Sequence, residues 1–138
     1  MEIEVGLPAE RALLDAIHDR LAEAGQSLTD AEMPHFTLAA HRDGRLVAGG
    51  TGEIAFRSLH LSELWVDESL RGQGMGSRLI ERAEALAAER GCDRVHLETR
   101  SEAARRLYER LGYRVFGQLD GYAPDGTPLY YLEKRVRR

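Results

Sequence analysis

The chain has 138 residues, 43% of them hydrophobic and 30% charged, which suits one domain with a sheet covered by helices. A formal net charge of -4 argues against nucleic-acid binding as the main task. The single cysteine, Cys92, excludes an intrachain disulfide and supplies no zinc motif. The start has no apolar signal core and no run of 18 apolar residues occurs, so the sequence reads as cytoplasmic, with no membrane and no metal involved.

In chain order, Ile3 and Val5 alternate with charge and predict a first strand. Pro8 then opens a helix, with Leu13, Leu14, Ile17, Leu21 and Ala24 spaced for one buried face and Gly25 ending it. QSLTDAEMPH is a loop, because Pro34 disfavours helix just before it. FTLAAHRDGRLVAGGTGEIA predicts two strands around Asp43-Gly44, a two-residue hairpin signal. SLHLSELWV is a further strand, and it delivers the chain to Gly72, Gly74 and Gly76. Beyond them, Met75, Leu79, Ile80, Ala83, Leu86 and Ala87 form a helical stripe that stops at Gly91.

DRVHLETR follows as a short strand with Val95 and Leu97 on one side. Ser101 can cap the next helix, whose apolar side is Ala104, Leu107, Tyr108 and Leu111 and whose stop is Gly112. YRVFGQL and PLYYLEKRV end the chain as two strands joined by the turn-rich DGYAPDGT. Strands and helices alternate in the middle and hairpins flank them, which sums to a mixed α/β sheet.

Three glycines at the mouth of a helix need a reason, since each weakens a helix interior by about 1 kcal/mol relative to alanine. A strand, a glycine loop and a helix start together form an anion site, with free N–H groups pointing at the ligand. The sequence RGQGMGS excludes a P-loop, because no lysine follows the glycines. A G-x-G-x-x-G fingerprint also fails, since its third glycine would fall on Ser77 or Leu79. The remaining pattern is R-x-x-G-x-G, at Arg71, Gly74 and Gly76.

This loop follows LWVDESL and opens a long helix, and a second strand leads to the run Ala104-Arg105-Arg106-Leu107-Tyr108-Glu109-Arg110-Leu111-Gly112-Tyr113. In that order and separation the motifs resemble those of the GNAT superfamily of N-acetyltransferases. VFGQLDGY extends the likeness to its small bacterial single-domain members. The resemblance covers essentially the whole chain. It implies a GNAT-like three-layer fold, α/β in the α+β sense, with a central, mostly antiparallel, splayed sheet flanked by helices. Residues 1–138 would form one N-acetyltransferase domain. The implied reaction is direct attack of a primary amine, on a small molecule or a protein, on the thioester of acetyl-CoA.

The resemblance also assigns residues. Arg71, Gly72, Gln73, Gly74, Met75, Gly76 and Ser77 would wrap the pyrophosphate of coenzyme A, and the backbone of Leu64, Trp65 and Val66 would pair with pantetheine. Trp65 has a competing reading as core or interface packing. Many members carry asparagine where this chain has Ser101, and a proline where it has Glu68. The first change implies rearranged contacts to the pantetheine end.

An alkylamine with a pKa of about 10.4 is neutral in about 1 part in 2500 at pH 7, equivalent to about 4.6 kcal/mol, so a base is needed. Glu63 matches a common family position for it; Leu61 and Trp65 are expected on its side of the strand, where desolvation would raise its pKa. A salt bridge to Arg57 is the alternative. Glu98 is the second candidate, with water, His60 and His96 behind it. Tyr108 matches the tyrosine that donates to the coenzyme A sulfur.

His35 and Tyr122, with Glu98, are candidate substrate contacts, and Asp30, Glu32, Asp120 and Asp125 are loop charges able to attract a cation. Family members often dimerise, so a homodimer is implied. A non-catalytic acyl-CoA-binding or partner-binding module on the same fold is the alternative, against which Glu63 and Tyr108 both argue.

Overall fold

The computed structural model describes residues 1–136 and divides the chain into two compact units, Met1–Met33 and the remainder from Pro34 onward. The first unit holds one helix, α1 (Arg11–Glu23). Gly25, at φ +70°, turns the chain out of it, and Gln26 N–H closes on Leu21 O at 2.8 Å. Two expectations for this segment fail. Ile3 and Val5 lie in no strand and are exposed, since four alternating residues have no ladder without a partner strand. The helix forms, but within its own unit its apolar stripe of Leu13, Ile17 and Leu21 is not buried.

The second unit contains every strand described. They are β1 (His35–Arg42), β2 (Arg45–Ala55), β3 (Ser58–Val66), β4 (Arg94–Thr99), β5 (Arg114–Leu119) and β6 (Leu129–Arg135). Their order in the sheet is β1-β2-β3-β4-β6-β5, and every neighbouring pair is antiparallel except β3 with β4. The β1–β2 hairpin turns at Asp43-Gly44, both in the left-handed region, as that dipeptide predicts. β2 carries Gly49, Gly50 and Gly52 because its neighbours come too close for side chains. A Cβ on Gly52 would lie 2.0 Å from the carbonyl oxygen of His60 and 2.6 Å from the Phe36 ring.

Helices α2 (Met75–Glu89) and α3 (Glu102–Arg110) pack on one face of this sheet. Ile80, Ala83 and Ala87 of α2 and Tyr108 of α3 meet Ile54, Leu59, Leu61, Val95, Leu97 and Leu132, the predicted apolar positions among them. A polar lock joins α2 to the strand end: Glu84 accepts from Tyr113 Oη at 2.9 Å and from Lys134 Nζ at 3.0 Å.

Two irregularities interrupt the ladder around β3. Opposite Thr51 and Gly52, β3 carries one extra residue, Ser62, as a bulge. And β3 pairs with β4 only through Ser58, Leu59 and His60; past the rung His60–His96 the two strands part, while β4 stays paired with β6 to Thr99. The sheet is splayed.

Candidate active site

The edge of β3 that faces the gap is free from Leu61 to Val66, since that stretch is laddered only to β2. Backbone N–H and C=O groups rarely go without partners, so an extended amide-bearing ligand fits between β3 and β4. Leu64, Trp65 and Val66 all lie on this edge. Trp65 is 45% exposed, so its side chain is not in the core.

From Val66 the chain enters a single 3-10 turn, Glu68–Leu70, capped by Asp67, whose carboxylate accepts from the Ser69 N–H at 3.1 Å. The Ser69 hydroxyl donates to the same carboxylate, and these two bonds hold the Asp67 pKa below the usual carboxylate range. Leu70 is buried and anchors the turn. Arg71 Nε donates to Val66 O at 3.3 Å, and Gln73 Nε2 to Ser69 O at 3.1 Å, so both side chains brace the loop.

Gly72 (φ +75°) and Gly74 (φ +79°) need the left-handed region, and Gly74 is the N-cap of α2. The first intrahelical bond runs from Arg78 N to Gly74 O, which leaves the N–H groups of Met75, Gly76 and Ser77 ahead of it. The first turn holds no acidic residue. Gly76 is different from its neighbours: its φ is ordinary, and a Cβ built there meets nothing within 4 Å. The protein alone has no use for a glycine at that position, whereas an anion seated on the helix start does.

On the core face, Tyr108 is buried and tilted against Tyr113, ring centroids 6.1 Å apart. Burial pushes its pKa above the usual phenol value, so it stays a neutral donor across physiological pH. Its hydroxyl makes no hydrogen bond to another described residue. Ser101 caps α3, its Oγ accepting from Ala104 N–H at 3.1 Å. That bond uses an acceptor lone pair and leaves the hydroxyl proton to give.

Glu63 lies on the opposite face. The Ser62 bulge turns Leu61 and Leu64 to the core side, so Leu61 does not share a face with Glu63. Of the two apolar neighbours expected for Glu63, Trp65 therefore stays on its side and Leu61 does not. The carboxylate is exposed and accepts from Thr51 Oγ1 at 2.7 Å. Nor does it meet Arg57, which pairs with Asp93 at 2.9 Å. Glu63 and Trp65 wall a cavity of about 750 Å³ whose other lining includes Thr37, Ala39, Gly49 and Thr51.

Glu98 and His60 are brought together, and with them a residue that the sequence did not single out, Glu53. His60 Nδ1 lies 2.5 Å from Glu53 Oε1, and Nε2 lies 2.9 Å from Glu98 Oε1. Burial pushes the His60 pKa down, but hydrogen bonds and charge from both carboxylates outweigh it and the pKa is raised. Burial and the neighbouring His60 lower that of His96, whose ring stacks on it at 4.7 Å. Glu53 escaped notice because it meets His60 only through the β2–β3 register.

His35 is exposed at the start of β1, opposite Glu53. Tyr122 is exposed in the β5–β6 loop, with no hydrogen bond to Glu63, Glu98 or His35 among the described residues. The loop acids serve local turns: Glu32 binds Thr29, Asp120 accepts from Gln118, and Asp125 accepts from Thr127.

Among the described residues no cluster of histidine, cysteine and acidic side chains is arranged to hold a metal, and no helix is long and apolar enough to cross a membrane.

Comparison with known proteins agrees with the geometry. The sequence model of the acetyltransferase (GNAT) family matches residues 8–113. The chain is 43% identical over 101 residues to blasticidin-S acetyltransferase of Streptomyces morookaense, spanning 72% of this chain and 74% of that one. An acetyltransferase structure from Bacillus cereus superposes with a TM-score of 0.83 at 33% identity, covering 99% and 98% of the two chains. An acetyltransferase-fold structure from Bacillus anthracis, solved in complex with acetyl coenzyme A, is similar at a TM-score of 0.64 and 21% identity, covering 71% of this chain and 60% of that one.

Proposed function

The chain belongs to the GNAT family of acetyltransferases, whose acyl donor is acetyl-CoA, and we propose that it transfers the acetyl group to a primary amine of a small molecule or a protein. The observation that carries this reading is a free strand edge running directly into a glycine-lined helix start. Pantetheine, with its two amides, fits the edge of Leu64, Trp65 and Val66. The pyrophosphate fits the N–H groups of residues 71–77, and Gly76 is the position whose bare backbone that contact explains. Residues 1–138 act as one N-acetyltransferase domain; the family match crosses the boundary between the two compact units, which supports this.

The chemistry then divides between the two faces of the sheet. Glu63 offers a carboxylate to the amine, and the Ser101 hydroxyl faces the pantetheine end. Tyr108 donates its hydrogen bond to the sulfur as the carbon–sulfur bond breaks. Full protonation by an unperturbed phenol is uphill by about 2 kcal/mol relative to a thiol, and burial makes it steeper. The tyrosine therefore acts mainly by stabilising developing thiolate. His35 and Tyr122 serve as outer contacts for the acceptor.

The test is release of free thiol from acetyl-CoA with a panel of amines: blasticidin S, L-lysine and a tetrapeptide with a free N-terminus. Acetylated amine identified by mass, lost or strongly reduced in Glu63→Gln and Tyr108→Phe, is the expected result. Tight coenzyme A binding with no acetylation of any amine would instead favour a binding module.

A further inference from the structure

The vertex of the splay carries a cluster that joins two of the candidate bases, His60 and Glu98, to Glu53. His60 lies between carboxylates on two neighbouring strands, Glu53 of β2 at 2.5 Å from Nδ1 and Glu98 of β4 at 2.9 and 3.0 Å from Nε2. Ser62, the bulged residue, places its Oγ 3.2 Å from both Glu53 and His60 Nδ1. A neutral imidazole has one N–H and can satisfy one carboxylate; only the imidazolium donates to both. The arrangement is therefore built to hold a proton, and removing that proton takes the imidazole N–H away from one of the two carboxylates.

Its location gives this a use. His60 and His96 form the last paired rung between β3 and β4, so the cluster closes the end of the gap into which the thioester would reach. It lies on the same face as Glu63, away from Tyr108. A carboxylate is a poor final home for an amine proton, roughly six pKa units below an alkylammonium, whereas an imidazole is roughly four below. The two flanking carboxylates narrow that difference further.

We propose that His60, held between Glu53 and Glu98, is the residue on which the proton leaving the acceptor amine comes to rest. This rests on the acetyl-transfer reading and deepens it. The working form has neutral His60. The ammonium gives one proton to His60 by way of Glu98, the freed nitrogen lone pair forms the bond to the acetyl carbon, and the carbon–sulfur bond breaks with its electron pair on sulfur. The second nitrogen proton goes to that thiolate, and the imidazolium later releases its proton to water. Glu63 keeps its place as a carboxylate beside the ammonium. The other titratable or charged groups around the ring are His35, opposite Glu53, and His96 and Arg94 of β4.

The test is the pH dependence of kcat/KM, with the fastest acceptor of the amine panel, for wild type, His60→Asn, Glu53→Gln and Glu98→Gln. Wild-type activity should rise with pH through a limb above the ordinary imidazole range. Glu53→Gln should move that limb toward acid by about one pH unit, and Glu98→Gln should move it likewise and also lower kcat, because the proton passes by way of that carboxylate. His60→Asn should lose kcat at least roughly tenfold, with coenzyme A affinity unchanged by calorimetry, which also verifies folding. A limb unmoved in both Gln variants, or a His60→Asn enzyme with the wild-type rate and profile, overturns the inference while acetyl transfer itself stands. If wild type acetylates no amine, acetyl transfer fails first and this inference falls with it.

Discussion

Tyr108 and Glu63 occupy opposite faces of one sheet, so a thioester in the gap between them would have its sulfur and its carbonyl carbon served from different sides. Removing the phenol alone should therefore damage the chemical step and spare binding. Tyr108→Phe is expected to lower kcat by about 100-fold, a typical value for losing one donor to a developing anion, with coenzyme A affinity within about twofold by calorimetry.

The paired histidines give a second residue-scale prediction through stability. His60 has a raised pKa in the folded chain, so its contribution is complete below the unfolded value of about 6.5 and is lost as pH rises through the folded value. His96 has a lowered one, so its contribution is complete above about 6.5 and is lost as pH falls through the folded value. Thermal melts between pH 4.5 and 9 should show His60→Asn flatter than wild type on the alkaline side. His96→Asn should be flatter on the acid side.

Among the elements, β2 is the least tolerant. Gly52→Ala puts a Cβ against the His60 carbonyl and the Phe36 ring, and backbone cannot give way as a side-chain tip does. The expected loss is about 3 kcal/mol in denaturant unfolding. Glu84→Ala, which takes the α2 carboxylate from Tyr113, just before β5, and from Lys134 of β6, should lose about 2 kcal/mol.

The elements also differ in how far they could be read from the sequence. The stripe of α2, the Ser101 cap and the Asp43-Gly44 turn depend on residues adjacent in the chain, and all three form as expected. The Ser62 bulge and the Glu53–His60 contact depend on register against another strand, which no local pattern encodes. The same reason explains Glu63, which keeps Trp65 on its side but loses Leu61 because the bulge breaks strict alternation. For α1, periodicity correctly marks an apolar stripe on Leu13, Ile17 and Leu21, but whether a stripe meets a partner is decided outside the helix. The resemblance in RGQGMGS identified the family correctly.

At the scale of the whole molecule, the proposed mechanism makes the loop, the splayed edge and the two faces of the sheet one device organised around coenzyme A. The measurement that tests this most directly is titration calorimetry of coenzyme A into wild type and Gly76→Glu, together with their melting temperatures. Position 76 has an ordinary φ and open space. There glutamate is a better helix former than glycine by roughly half a kcal/mol or more, and its charge suits the positive helix start. The expected result is a free protein that melts a few degrees higher and binds coenzyme A at least 100-fold more weakly than wild type. A variant that binds coenzyme A as wild type does would contradict this mechanism, leaving the glycines as a turn and nothing more.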